Sequence, residues 1–148
     1  MLLFACTKTS AKAGTVTLVV TGNVHSQLDP CGWKRNPTGG LPRKATFIHN
    51  LKEGGTNPVI LDAGDLFFDK QYPTELNLNQ SKLRAKTVVS GFIIIGCDAF
   101  NVGSKDFAAG FEFLQEMEAS AADPIISAII VDTSGNPGLK TSAVVKRC

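Results

Sequence analysis

Thr15-Val16-Thr17-Leu18-Val19-Val20-Thr21-Gly22-Asn23 and Pro58-Val59-Ile60-Leu61-Asp62-Ala63-Gly64-Asp65 follow one plan. Each is a short apolar run that stops at a glycine turn carrying polar or acidic side chains. A continuous apolar run of this length reads as a buried strand, and the turn after it delivers functional groups to a loop. Working outward, Asp98-Ala99-Phe100-Asn101-Val102 reads as a third strand running into Gly103-Ser104-Lys105-Asp106, and Pro124 to Val131 as a fourth. Between them the apolar period changes from strand to helix. Leu41, Ala45, Ile48 and Leu51 recur at helical spacing up to Gly54-Gly55, which predicts a surface helix over 41–53. A second helix is expected over 77–95, capped by Gly96, and a third over 110–122 with Phe111, Phe113, Leu114 and Met117 on its apolar side. The order β-α-β-α-β-α-β predicts an α/β fold, a layered sheet of mostly parallel strands with flanking helices and right-handed crossovers.

The chain has 148 residues, 43% of them hydrophobic, enough for one core of ordinary size and a single domain. Fifteen Lys and Arg against thirteen Asp and Glu leave a net charge of +2 that is spread along the chain, so nucleic acid is not an implied partner. Lys34, Arg35, Arg43 and Lys44 gather around Gly39-Gly40 and read as a solvated loop, with a phosphate-steering patch as the alternative. Cys6, Cys31, Cys97 and Cys148 stand far apart with no C-x-x-C pair, which argues against a structural zinc site or a disulfide framework. Cys97, after three isoleucines and a glycine, reads as a small buried hydrophobe.

In a parallel sheet, ligands gather outside the carboxyl ends of the strands. That rule selects Asn23 and His25, then Asp62 and Asp65, then Ser104, Lys105 and Asp106. A carboxylate and an imidazole brought together from separate loops could hold a divalent metal, and a carboxylate bridging two metals would leave room for an activated water. His49 falls on the first helix and reads as a surface or half-buried helix residue. Lys105 reads as an ordinary solvent-exposed lysine, with neutralisation of a phosphate as the alternative.

Thr21-Gly22-Asn23-Val24-His25, Gly39-Gly40-Leu41, Leu61-Asp62-Ala63-Gly64-Asp65-Leu66-Phe67, the segment from Gly96 to Gly103 and Pro124-Ile125-Ile126-Ser127-Ala128 resemble, in order and spacing, successive blocks of bacterial 5′-nucleotidases. These are calcineurin-like metallophosphoesterases. The resemblance covers roughly residues 15–145 and implies the first half of a metallophosphoesterase sandwich, with residues 14–148 as the domain and its C-terminal side incomplete. It further implies metal-dependent hydrolysis of nucleotides or other small phosphoesters, with manganese, zinc or a similar divalent ion as cofactor. His25 and Asp65 match family metal ligands, and Asn23 stands where the family has an Asp. A neutral amide oxygen is a poorer ligand for a divalent cation than a carboxylate. The family's Gly-Asn-His-Glu block reads here as Gly103-Ser104-Lys105-Asp106, which removes an Asn ligand and the His that protonates the leaving group. A lysine with the usual pKa of about 10.4 is a poor general acid at neutral pH. No catalytic residue is therefore carried over, and hydrolysis by this chain is expected to be weak or absent.

Two further resemblances concern cysteines. Leu3-Phe4-Ala5-Cys6 is similar to the lipobox of bacterial lipoproteins, which makes Cys6 a candidate for lipidation, residues 1–13 a truncated lead and tether, and the cell envelope the expected location. An apolar N-terminus without that role is the alternative, since a signal peptide needs about 7–15 apolar residues behind a basic start. The loop Asp29-Pro30-Cys31-Gly32-Trp33 resembles that of envelope-associated relatives in which Cys-Gly is followed by Cys or selenocysteine. Trp33 would then mark a misread selenocysteine codon and Cys31 a redox residue, whereas as written Trp33 reads as a loop aromatic packing on the sheet edge. The rival function is thus a non-catalytic or redox-linked envelope module using the Cys31 loop.

Overall fold

The computed structural model describes residues 14–31, 38–121, 125–127, 130–131, 133–136 and 138–142. Four strands, β1 (Leu18–Thr21), β2 (Val59–Asp62), β3 (Ala99–Asn101) and β4 (Ile125–Ile126), form one sheet in the order β1-β2-β3-β4, and every pair is parallel. Three helices, α1 (Leu41–Glu53), α2 (Glu75–Ile95) and α3 (Phe111–Ser120), lie between successive strands. The expected α/β order holds element by element. A short 3₁₀ turn over Ser104–Phe107 is an addition to it.

The helix boundaries follow local chemistry. Pro42 sits in the first turn of α1, where its missing N–H costs nothing. Gly96 closes α2 in the left-handed conformation (φ 85°), and its N–H bonds back to the carbonyls of Phe92 and Ile93.

Strands taken in sequence order by right-handed crossovers in one direction place all their helices on one face of the sheet. The packing agrees with this. Ile60, Phe100 and Ile125 share a single buried cluster with Ile48 of α1, Val88, Val89 and Phe92 of α2, and Phe113, Leu114 and Met117 of α3. Phe92 and Phe100 pack with ring centroids 5.7 Å apart across the helix–sheet boundary. The opposite face is different. Leu18 and Val20 are 60% and 58% exposed, although both read as buried from the sequence. The reason is topological: among the described residues β1 is an edge strand, and its outward residues lie on the face that receives no helix. Among the described residues no helix is long and apolar enough to cross a membrane.

This one-sided burial predicts a contrast between two truncations. Phe100→Ala should cost about 3–5 kcal/mol by cavity formation, whereas Val20→Ala should cost less than about 1 kcal/mol because most of its surface is already solvated. Urea denaturation of the two variants measures the difference.

Candidate functional site

Beyond the end of β1 the chain does not leave β2. Ala63 N–H donates to the Thr21 carbonyl (2.7 Å), Asn23 N–H to Gly64 (2.9 Å), His25 N–H to Asp65 (3.0 Å) and Ser26 N–H to Leu66 (2.8 Å). Asn23, His25, Ser26 and Asp65 all take positive φ, between 52° and 59°. Non-glycine residues rarely adopt this conformation, and several together mark loops that the surrounding structure forces into shape. Gly64 is required in the same clasp: its φ is 112°, and a Cβ there would stand 2.8 Å from the backbone nitrogen of Gly103. The close approach of Gly64 to Gly103 draws the β3 loop onto the β2 loop. His25 and Asp65, expected together from the sequence, are thus joined by a backbone hydrogen bond.

The third loop completes the cluster. Lys105 N–H donates to Asp65 Oδ1 (2.9 Å), and Lys105 Nζ lies 2.9 Å from His25 Nε2. An ammonium has donors and no lone pair, so the imidazole nitrogen accepts. The expectation that Lys105 faces solvent is corrected: its side chain is half-buried and turned onto His25. The physical reason is the 3₁₀ turn, which folds Ser104–Phe107 back over the strand tips.

That turn is held by Asp106. Its side chain is fully buried, with Oδ1 accepting from Phe67 N–H (2.8 Å) and Oδ2 from Gly103 N–H (2.9 Å). Burial pushes its carboxyl up to about 6, and the backbone donors Phe67, Gly103 and Asp65 oppose that rise. Asp62 is also buried, and it accepts from Thr21 Oγ1 (2.6 Å) and Gly64 N–H (3.0 Å). These two carboxylates are occupied in shaping the loops.

Lys44 Nζ donates to Thr21 Oγ1 (2.8 Å) and sits 3.5 Å from the Phe92 ring centroid. The solvated-loop reading is therefore corrected for Lys44, and burial lowers its pKa against the raising effect of Cys97 and Asp62. It lines a cavity of about 420 Å³ with Asn23, Gln27, Gly40 and Phe92, beside the His25–Asp65 pair. Asn23 is exposed at the mouth of the loop. His49 is exposed on α1, far along the chain from the clasp, as expected of a helix surface residue. Cys97 is buried with its thiol near the carbonyls of Ile60 and Ala99. Cys31 is exposed and its backbone pairs with Thr38 across the loop (2.9 and 2.8 Å). Cys6, Trp33, Lys34, Arg35 and Cys148 lie outside the described residues.

The strand-tip geometry can be set beside known proteins. The chain is 30% identical over 144 residues to a 2′,3′-cyclic-nucleotide 2′-phosphodiesterase/3′-nucleotidase of Yersinia enterocolitica, a match covering 91% of the chain and 22% of that protein. It is 26% identical over 128 residues to the trifunctional nucleotide phosphoesterase protein YfkN of Bacillus subtilis, covering 81% of the chain and 9% of the relative. Among solved structures, a 5′-nucleotidase precursor from Thermus thermophilus superposes with a TM-score of 0.68 at 28% identity, covering 85% of the chain and 24% of that structure. The calcineurin-like phosphoesterase YfkN from Bacillus subtilis superposes with a TM-score of 0.66 at 22% identity, covering 84% and 40%. The chain is a homologue of the 5′-nucleotidase and calcineurin-like phosphoesterases. It corresponds to the N-terminal part of them and spans about a fifth or less of the length of the curated relatives it matches. No family model matches it.

The homology implies a divalent metal, and the donors present can be tested against one. Among the described residues no three His, Cys, Asp or Glu side chains converge in a way that could hold an ion. The His25 lone pair faces an ammonium, one Asp65 oxygen accepts the Lys105 N–H, and Asp62 and Asp106 serve backbone or hydroxyl donors. This donor set does not fit a metal pair. Sequence reasoning selected His25, Asp65, Lys105 and Asp106 at the strand ends, but not the contacts by which Asp106 holds the turn and Lys105 reaches His25 and Asp65.

Because Asp106 satisfies a buried backbone donor at Phe67 and a partly buried one at Gly103, Asp106→Ala should destabilise the fold by about 3 kcal/mol. Chemical denaturation, with far-UV circular dichroism to confirm folding in the absence of denaturant, checks this.

Proposed function

We propose that this chain comes from a phosphoester-hydrolysing lineage that acts in the bacterial envelope on nucleotides or similar small phosphoesters, and that metal-dependent hydrolysis by the chain itself is weak or absent. The observation that carries the reading is the clasp between the β1 and β2 loops, which sets the imidazole of His25 and the carboxylate of Asp65 on adjoining backbone positions while Lys105 contacts both. The named activities of the Yersinia and Bacillus relatives support a small phosphoester as substrate class. Asn23, His25 and Asp65 are the proposed remnants of the metal site, with manganese or zinc as the ion the complete lineage would use. When bound, such an ion would activate a water toward phosphorus.

Purified protein supplied with manganese or zinc should hydrolyse nitrophenyl phosphate little above background. Turnover on the scale of ordinary enzymes, about 1–1000 per second, would contradict the reading.

A second reading draws on one observation, the exposed thiol of Cys31 in a loop whose ends are tied by backbone bonds to Thr38. A redox-linked role predicts rapid alkylation of Cys31 in the native protein with a reactivity profile set by a thiolate. Reaction no faster than that of a free cysteine peptide would remove it. Lipidation at Cys6 remains a proposal of the same standing, tested by mass spectrometry of the protein expressed in a bacterial host.

A further inference from the structure

We infer that Lys105 takes the place of a divalent cation at the strand tips and that the loops bind a phosphate oxyanion through it without metal. The inference rests on the phosphoesterase reading above and specifies what the altered site does.

Three features converge on Lys105. Its ammonium is 2.9 Å from His25 Nε2, and its backbone N–H is bonded to Asp65 Oδ1, so one residue engages both positions that the homology would assign to metal. The contact to His25 uses one of the three ammonium donors and leaves two for a ligand. The carboxylates of Asp62 and Asp106 have hydrogen-bond partners of their own, which leaves Asp65 as the carboxylate in contact with Lys105. Asp62 is held by Thr21 and Gly64, and Asp106 by Phe67 and Gly103, and both are buried.

The surroundings hold the lysine in place. The 3₁₀ turn that carries it is fixed by Asp106, and the loop that carries His25 is fixed by three backbone bonds to the β2 loop. A cation positioned in this way needs little further ordering when an anion arrives, which is the advantage a preorganised site has over a free surface lysine. A charge-assisted bond from an ammonium to a phosphate oxygen is the interaction that such a group makes best. The ligand class is therefore inorganic phosphate or the terminal phosphate of a phosphomonoester.

The same geometry opposes metal. A divalent ion on His25 Nε2 would have to displace the ammonium and would then stand beside a positive charge, a repulsion that grows as the local dielectric falls.

The test is a titration of the intact chain with inorganic phosphate in the presence of EDTA, followed by backbone amide NMR and calorimetry, for the wild type, Lys105→Met and Lys105→Arg. Wild type should bind, with the amide signals of residues 23–26, 65 and 103–106 moving together. Lys105→Met should weaken binding by about tenfold or more through loss of charge-assisted bonds, and Lys105→Arg should restore part of it. In parallel, zinc alone should bind Lys105→Met more tightly than wild type. Circular dichroism of the variants separates lost binding from lost folding, and the arginine variant keeps the test valid if the methionine variant unfolds. Absence of phosphate binding by wild type, binding that requires added manganese, or tighter zinc binding by wild type than by Lys105→Met would overturn the inference. Failure of this titration with negligible nitrophenyl phosphate hydrolysis would overturn the inference and leave the reading of a lineage member with weak or absent hydrolysis standing, whereas ordinary turnover with metal would remove that reading.

Discussion

Everything at the functional end of this molecule depends on a run of backbone hydrogen bonds that continues after the β1 and β2 strands have stopped. Asn23, His25 and Ser26 donate in turn to Gly64, Asp65 and Leu66, so the two loops remain zipped for several residues beyond the sheet. Regular strand geometry could not achieve this, because only alternate residues of a strand bond the same neighbour, whereas His25 and Ser26 donate to it in succession. The positive φ of Asn23, His25, Ser26 and Asp65 is the conformational cost of the clasp, and Gly64 and Gly103 admit the close approach between the β2 and β3 loops. Such strain persists only where neighbouring contacts over-determine the backbone. Here those contacts are the buried carboxylates of Asp62 and Asp106, which satisfy donors from the β1, β2 and β3 loops.

The electrostatic consequence follows from how these acids are used. In a two-metal phosphoesterase site, carboxylates and imidazoles must point their lone pairs at a common void. In this chain Asp62 and Asp106 point theirs at the protein's own donors, and His25 points its ring nitrogen at Lys105. The fold is that of the solved 5′-nucleotidase precursor, and the lone pairs at the strand tips serve the chain's own donors. The exposed face of β1 belongs to the same picture, since parallel sheets are ordinarily covered on both sides and this one carries its helices on one.

Much of this was legible in the sequence, for identifiable reasons. The strands declared themselves as apolar runs closed by glycine turns, and α1 was placed at its observed limits because Leu41, Ala45, Ile48 and Leu51 recur at helical spacing and Gly54-Gly55 stops the pattern. The strand-end rule brought His25 and Asp65 into a set of seven residues, and the resemblance to 5′-nucleotidase blocks singled them out. What escaped was non-local. Asp106 bonds to Phe67, thirty-nine positions away, and nothing in the Ser-Lys-Asp-Phe stretch announces that partner. Lys105 and Lys44 resembled surface lysines because sequence reports charge but not the direction a turn gives it. Leu18 and Val20 read as core because apolar runs do not reveal which sheet face is left without a helix.

The contact between Lys105 and His25 is the point at which fold and altered chemistry meet, and the imidazole itself reports on it. Nitrogen-15 NMR of the His25 ring in mildly alkaline buffer distinguishes a protonated ring nitrogen from one that accepts a hydrogen bond. The geometry predicts a neutral ring with its proton on Nδ1 and an unprotonated, hydrogen-bonded Nε2. A proton on Nε2, or an Nε2 signal that does not respond when Lys105 is replaced by methionine, would contradict it.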